Sequence, residues 1–86
     1  MSTKISINIE FALYGIQNQT IDVTSEAQAA IAGDDLTISP RKLKIEDPAP
    51  GIMKNFAVKA LITIDDAEPY HFFYIAKDYE TIDFVP

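Results

Sequence analysis

Several residue types that carry chemistry are missing or scarce in this chain of 86 residues. It has no cysteine, which excludes disulfide bonds and thiolate metal ligands and is consistent with a reducing compartment. Its three glycines stand far apart, at positions 15, 33 and 51, so the chain has no glycine-rich phosphate-binding loop. These absences leave few routes to catalysis or to cofactor binding.

Positive charge and long apolar runs are also scarce. Seven lysines and arginines face thirteen acidic residues, and the resulting net charge of −6 argues against a nucleic-acid partner. It leaves room for a basic protein or a cation. No segment approaches the roughly 20 apolar residues of a membrane helix, and the first four residues lack the apolar block of a signal peptide. We therefore predict a cytoplasmic protein without membrane contact; the alternative is an exported protein whose leader has been removed.

What the chain does have is enough apolar material for one core. Hydrophobic residues make up 48% of it, which is typical of a packed globule and not of a disordered chain. A chain of this length cannot divide into two stable cores. We predict a single β-rich domain over residues 1–86.

Alternating apolar and polar side chains predict that most of this domain is β-structure. The first segment places one set of residues on one face, namely Ile5, Ile7, Ile9, Phe11 and Leu13. The longest run covers residues 56–64, and an acidic turn at 65–69 returns the chain into a strand at 70–75. Shorter strands are predicted at 20–23, 36–38, 43–45 and 81–85.

One short helix interrupts this pattern, at residues 26–31. Thr24 or Ser25 is a candidate N-cap, with Gln28 completing a capping box after Ser25, and Gly33 is placed to end the helix. The predicted fold is therefore mainly β: a small antiparallel β-sandwich or open barrel of about six to seven strands with one short accessory helix. An α+β roll is the alternative, if the helix is longer.

The segment Asp-Pro-Ala-Pro-Gly, at residues 47–51, predicts the main turn of the chain. Its two prolines and its glycine cannot continue a helix or a central strand. The turn divides a front half from a hairpin-like back half.

Candidate reactive groups are few. His71 is the only histidine, and the sequence indicates neither a nucleophile nor an orienting partner for it. The acidic turn carries Asp65, Asp66 and Glu68, which could hold a calcium ion but lack the spacing of a calcium-binding helix-loop-helix. A short basic cluster combines Arg41, Lys42 and Lys44, without the aromatic residues of a nucleic-acid groove. We predict no catalytic residues, no metal site, no cofactor and no enzymatic activity.

The most informative candidate surface is the aromatic strand at residues 70–75. Tyr70, Phe72 and Tyr74 share one of its faces, and His71, Phe73 and Ile75 share the other. Only one face of a strand can point into the core of a two-layer domain, and the sequence leaves open which one. If the Phe73 face points inward, the other three aromatic residues stand on the surface. We predict Tyr70, Phe72 and Tyr74 as partner-binding residues.

Several landmarks of the chain occur in the order of a known small domain. They are Tyr14-Gly15, Asp22-Val23-Thr24, the 47–51 turn with Lys54 behind it, and Glu80-Thr81-Ile82-Asp83-Phe84. In this the chain resembles the small β-domain of unknown function found at the C-terminus of certain mitochondrial DnaJ-like proteins and as stand-alone bacterial domains. Two features depart from that pattern, an acidic hairpin in place of a glycine turn and a denser aromatic strand. The resemblance implies a β-sandwich-like interaction or structural module, and it supplies no catalytic residues.

These observations favour a non-enzymatic protein-interaction or structural module that acts through an aromatic sheet face. Its partner would be another protein or a second copy of the chain. Two alternatives stay open: a calcium- or carbohydrate-binding lectin-like domain that uses the acidic turn, and a small acidic inhibitor or phage-type accessory protein that blocks a basic surface.

Overall fold

The computed structural model describes residues 3–85 and confirms a mainly β architecture. Its elements in chain order are β1 (Ile5–Ile16), β2 (Gln19–Asp22), α1 (Thr24–Ala30), β3 (Asp35–Thr37), α2 (Pro40–Leu43), β4 (Asn55–Ile64), β5 (Tyr70–Lys77) and β6 (Thr81–Asp83). Neither helix of the described chain has the length and apolar character needed to cross a membrane.

The strands form two antiparallel sheets. The large sheet has four strands in the order β2-β1-β4-β5, and β3 pairs with β6 in a small sheet of two strands. One face of the large sheet, here called the inner face, packs against the helices and the small sheet around a common core. The largest fully buried side chains of that core are Tyr14, Phe56, Phe84, Leu36, Ile38, Leu43, Ile62, Ile82, Val23 and Val58. The opposite face of the large sheet is called the outer face.

A bulge in β1 overturns part of the predicted alternation. Ile9 pairs with Ala60, but the next paired residue, Phe11, is opposite Lys59, so Glu10 is the extra residue. Such an insertion switches the side chains that follow it to the other face. Phe11 and Leu13 therefore point to the outer face, contrary to the prediction, while Ala12 and Tyr14 are fully buried.

Helix α1 exists where the sequence predicts it, but its predicted cap is wrong. Val23 occupies the N-cap position and no side chain caps the helix. Instead, the Thr24 hydroxyl accepts the Ala12 N–H at 3.0 Å, and the Gln28 amide bonds the backbone of Ile9 and Ile7 at 2.6 and 2.9 Å. These side chains tie the helix to the part of β1 that lies beyond β2. Gly33 is not the end of the helix; it lies in the following turn, with φ of 66°.

The strand predicted at residues 43–45 is also wrong, because this stretch belongs to helix α2 and its end. Ser39 caps that helix by accepting the Lys42 N–H at 3.0 Å, and Pro40 occupies its first turn. A capping serine followed by proline is a helix-start signal, and here it overrides a short alternation. Leu43 is buried in the core.

The predicted turn at residues 47–51 is confirmed, as are the long strand and the hairpin that follow it. The Asp47 carboxylate accepts the Ala49 N–H at 2.9 Å, and Gly51 has φ of 79°. Ala49 is buried, so the turn packs onto the body of the protein. Strand β5 then returns beside β4 and forms one edge of the large sheet.

Candidate functional site

The outer face of the large sheet carries an apolar surface that no other element of the described chain covers. Its cross-strand rows follow from the register: Phe11, Lys59 and Phe73 in one row, and Leu13, Ala57 and Ile75 in the next. Phe73 is 67% exposed and Ile75 is 61% exposed. A shallow groove of about 220 Å³ lies at the second row, with Leu13, Ala57 and Ile75 in its lining. Lys59 and Ala57 lie between the larger apolar side chains of the two rows, and exposed apolar surface next to polar residues is typical of interaction sites.

The structure decides which face of β5 is exposed. Phe73 and Ile75 lie on the outer face. The prediction placed Tyr70, Phe72 and Tyr74 on the surface only if the Phe73 face pointed inward, and it does not. These three residues are opposite Ile62, Ala60 and Val58 on the inner face. They lie at the rim of the core, because β5 is the last strand of the sheet.

The predicted partner-binding residues differ in how far they are buried. The Phe72 ring packs on Phe84, with ring centroids 5.2 Å apart, and stacks on Tyr74 at 6.0 Å. Tyr70 and Tyr74 are 42% and 45% exposed. Phe72 thus contributes mainly to packing, whereas the two tyrosines extend the exposed aromatic surface around the edge of the sheet.

His71 lies on the outer face beside this surface. Its Nε2 atom is 3.4 Å from Glu10 Oε1, and the histidine side chain is 61% exposed. The β1 bulge brings Glu10 to this position, so the sequence could not indicate the pair. An exposed imidazole beside a carboxylate links β5 to β1 across β4, and it does not by itself form a catalytic site.

A buried polar cluster, which the sequence pattern does not predict, lies at the other end of β4. Lys54 is 2% exposed, and its Nζ atom is 2.9 Å from Asp47 Oδ1 and 3.1 Å from Asp78 Oδ2. The same Nζ donates to the Ile52 carbonyl at 2.6 Å, and the Tyr14 hydroxyl donates to Asp78. Every polar group of this cluster has a partner within it, which is typical of a structural joint.

The charges of this cluster are tuned by its own contacts. Burial alone would lower the pKa of Lys54, but its bonds to Asp47 and Asp78 outweigh burial and raise it. The Lys54 ammonium, in turn, lowers the pKa of Asp47. Burial, reinforced by the bond to Asp78, raises the pKa of Tyr14. Lys54 is therefore held as a cation and not as a free amine, which does not suit a nucleophile.

The structure also places the charged groups that the sequence singled out, the acidic turn and the basic cluster. Asp65 Oδ1 accepts the Lys4 N–H at 2.7 Å, so one oxygen of the proposed calcium ligands is already used. Within residues 3–85 the acidic side chains that come closest to a common point are instead Asp34, Asp35 and Asp83. Arg41, Lys42 and Lys44 line an open groove together with Thr37, Ser39 and Tyr79.

Comparisons of the chain with protein-family models, with curated proteins and with solved structures find no match. The resemblance to the β-domain of DnaJ-like proteins therefore stays a prediction.

Proposed function

We propose that this chain is a non-enzymatic protein-interaction module that acts through β5 and the adjoining outer face. The observation that carries the proposal is the exposure of Phe73 and Ile75 on an edge strand. A few side chains that become buried at the centre of a contact supply most of the binding energy of protein interfaces. Tyr70 and Tyr74 add amphipathic surface at the rim.

The distribution of the remaining reactive groups supports a binding role over a catalytic one. The polar atoms of Lys54, Asp78 and Tyr14 bind one another within the protein, although Lys54 and Asp78 also lie in the lining of an open groove of about 370 Å³. His71 has one carboxylate neighbour, Glu10, and its side chain is exposed to solvent. The exposed apolar surface has no such internal use.

The test is a double substitution, Phe73→Thr with Ile75→Thr, which removes apolar surface and keeps a residue that favours strands. The matched control is Ile52→Thr with Met53→Thr, because Ile52 and Met53 are exposed apolar residues outside the sheet. Both variants should unfold at the wild-type urea midpoint. Protein capture by the immobilised chain and self-association by sedimentation should fall at least about tenfold in the β5 variant alone. Equal behaviour of the two variants in both assays would exclude β5 as the interaction surface.

A further inference from the structure

The two edges of the large sheet differ in how far the rest of the chain covers them. On one side the edge strand β2 has only four residues, three of them polar, and the Thr24 and Gln28 side chains bond the backbone of β1 beyond it. Coverage of this kind prevents an edge from pairing with another strand. On the other side, β5 is eight residues long, has no proline within it, and has β4 as its one neighbour in the described sheet.

The backbone of β5 offers free hydrogen-bonding groups on the side away from β4. In an antiparallel strand, successive residues direct their N–H and C=O groups to alternate sides. The Lys77 N–H points away from β4, because it donates to Glu80 Oε1 at 2.6 Å. The same alternation directs the backbone groups of His71, Phe73 and Ile75 away from β4.

The stretch of β5 with unpaired backbone groups is limited at both ends. Pro69 precedes β5 and has no N–H to donate, and the Lys77 N–H is already bonded to Glu80. The residues able to pair are therefore His71, Phe73 and Ile75, which are symmetric about Phe73. A second β5 strand, antiparallel to the first and related to it by a two-fold axis at Phe73, would pair with the backbone N–H and C=O groups of these three residues. It would need no hydrogen bond from Pro69 or from the Lys77 N–H.

The side chains fit a second copy in that register. Phe73 would lie opposite Phe73 of the second copy, and Phe72 opposite Tyr74, which places aromatic residues across from each other on both faces. His71 would face Ile75, so no like charges meet. Lys77 would face Pro69 and lie next to Glu68 of the second copy. On a chain of net charge −6, β5 carries His71 and Lys77 and no acidic residue, which makes it a favourable place for two copies to meet.

We infer that β5 pairs with β5 of a second copy, antiparallel and centred on Phe73, to form one continuous sheet of eight strands. This inference rests on the proposed function, since it names the partner of the same surface. About six backbone hydrogen bonds would join the strands. A contact of this size is small among protein interfaces, so the dimer should be weak and in equilibrium with the monomer.

Cysteine cross-linking tests the register, because the chain has no cysteine of its own. In the Phe73→Cys variant the two Cα atoms would lie about 5.5 Å apart, within the range of a disulfide. In Ile75→Cys they would lie about 15 Å apart. Mild oxidation should therefore link Phe73→Cys to itself, leave Ile75→Cys monomeric, and link Ile75→Cys to His71→Cys in a mixture. Equal cross-linking of Phe73→Cys and Ile75→Cys, or none of Phe73→Cys, would overturn the inference.

A backbone substitution tests the hydrogen bonds separately. Phe73→Pro removes an N–H that faces away from β4, a position where an edge strand tolerates proline, whereas Phe73→Val keeps the N–H. Sedimentation at up to about 1 mM should show a weak dimer of the wild type, as expected for a small interface. Phe73→Pro should raise its dissociation constant about 30-fold above that of Phe73→Val. If Phe73→Pro does not fold, the cross-linking pattern decides.

The outcomes separate this inference from the proposed function. A wild-type chain that stays monomeric at the highest concentration overturns self-pairing. The interaction module would still stand if the Phe73→Thr/Ile75→Thr variant loses protein capture while the Ile52→Thr/Met53→Thr control keeps it. If the wild-type chain stays monomeric and the β5 variant captures protein as well as its control does, both proposals are overturned.

Discussion

Lys54 is a buried cation that joins three separated parts of the chain. It connects the turn at residues 47–51 with Asp78, which follows β5, and Asp78 also accepts the Tyr14 hydroxyl from β1. Taking such a charge out of water is costly, and the cost is offset only if its partners stay in place. The cluster therefore fixes where the back half of the chain meets the front half.

Replacing Lys54 by methionine should destabilise the protein by about 3 kcal/mol, because the buried Asp78 carboxylate would lose its counter-charge. Urea unfolding monitored by tyrosine fluorescence measures this. The control is Lys42→Met, which removes an exposed lysine and should change the free energy of unfolding by less than about 0.5 kcal/mol. Similar losses in the two variants would show that the buried ion pairs do not contribute.

Asp35 has the opposite electrostatic situation. Partial desolvation, and then the charges of Asp34 and Asp83, raise the pKa of this carboxyl group. When the folded pKa is above the unfolded one, the charged form destabilises the fold at neutral pH, and this penalty disappears as the pH falls below the unfolded value. Asp35→Asn should therefore raise the melting temperature at pH 7 and leave it unchanged near pH 3. The control is Asp66→Asn in the exposed hairpin, and a gain at neutral pH equal to that of the control would contradict the explanation.

At the scale of elements, the contact of α1 with β1 shows how side chains complete a sheet edge. β2 covers only the end of β1, and Gln28 bonds both the Ile9 N–H and the Ile7 carbonyl in the uncovered part. These backbone groups would otherwise need water or another strand. The same contact fixes α1 against the sheet and satisfies the backbone groups at the uncovered edge of β1.

Replacing Gln28 by alanine should cost about 1–2 kcal/mol, since two backbone groups lose their partner while alanine keeps a high helix propensity. The control is Gln17→Ala, in the exposed turn between β1 and β2. Hydrogen exchange should accelerate at the Ile9 amide in Gln28→Ala. An unchanged exchange rate at Ile9 would show that the contact is not formed in solution.

The element scale also shows what local sequence patterns can predict. Residues 56–64, the acidic turn and the return strand were predicted from alternation bounded by proline and acidic residues, and they agree with β4 and β5. The bulge at Glu10 could not be predicted, because the alternation from Ile9 to Phe11 is unbroken. It depends on how β1 pairs with β4, which is a contact between distant segments. The exposure of Phe11 and the His71–Glu10 pair depend on the same bulge.

At the scale of the whole molecule, hydrogen bonds to two aspartates make the free energy of unfolding depend on pH. The side-chain hydrogen bond from Lys54 lowers the pKa of Asp47, and a hydrogen bond from the Thr24 hydroxyl lowers the pKa of Asp22. A folded pKa below the unfolded one means that the unfolded chain takes up protons first. This contribution to stability is present above the usual pKa of about 3.8 and is lost as the pH falls through the folded value.

We therefore expect the free energy of unfolding to decrease below about pH 4. Asp47→Asn should be less stable than the wild type at pH 7, and its stability should depend less on pH between about 4 and 2. Urea unfolding at a series of pH values measures both slopes. Parallel curves for the two proteins would exclude Asp47 as a source of acid sensitivity.

The fold class, the positions of most strands and the turn at residues 47–51 can be predicted from the sequence alone. These follow from side-chain alternation and from proline and glycine, whose effects act within a few residues. The rest depends on tertiary contacts: which residues of β1 and β5 face outward, that Leu43 of α2 packs into the core, and that Lys54 is buried between carboxylates. Each of these depends on the energy of contacts between segments far apart in the chain. The exposed edge of β5, which carries both proposals, follows from strand order and became visible only in the folded molecule.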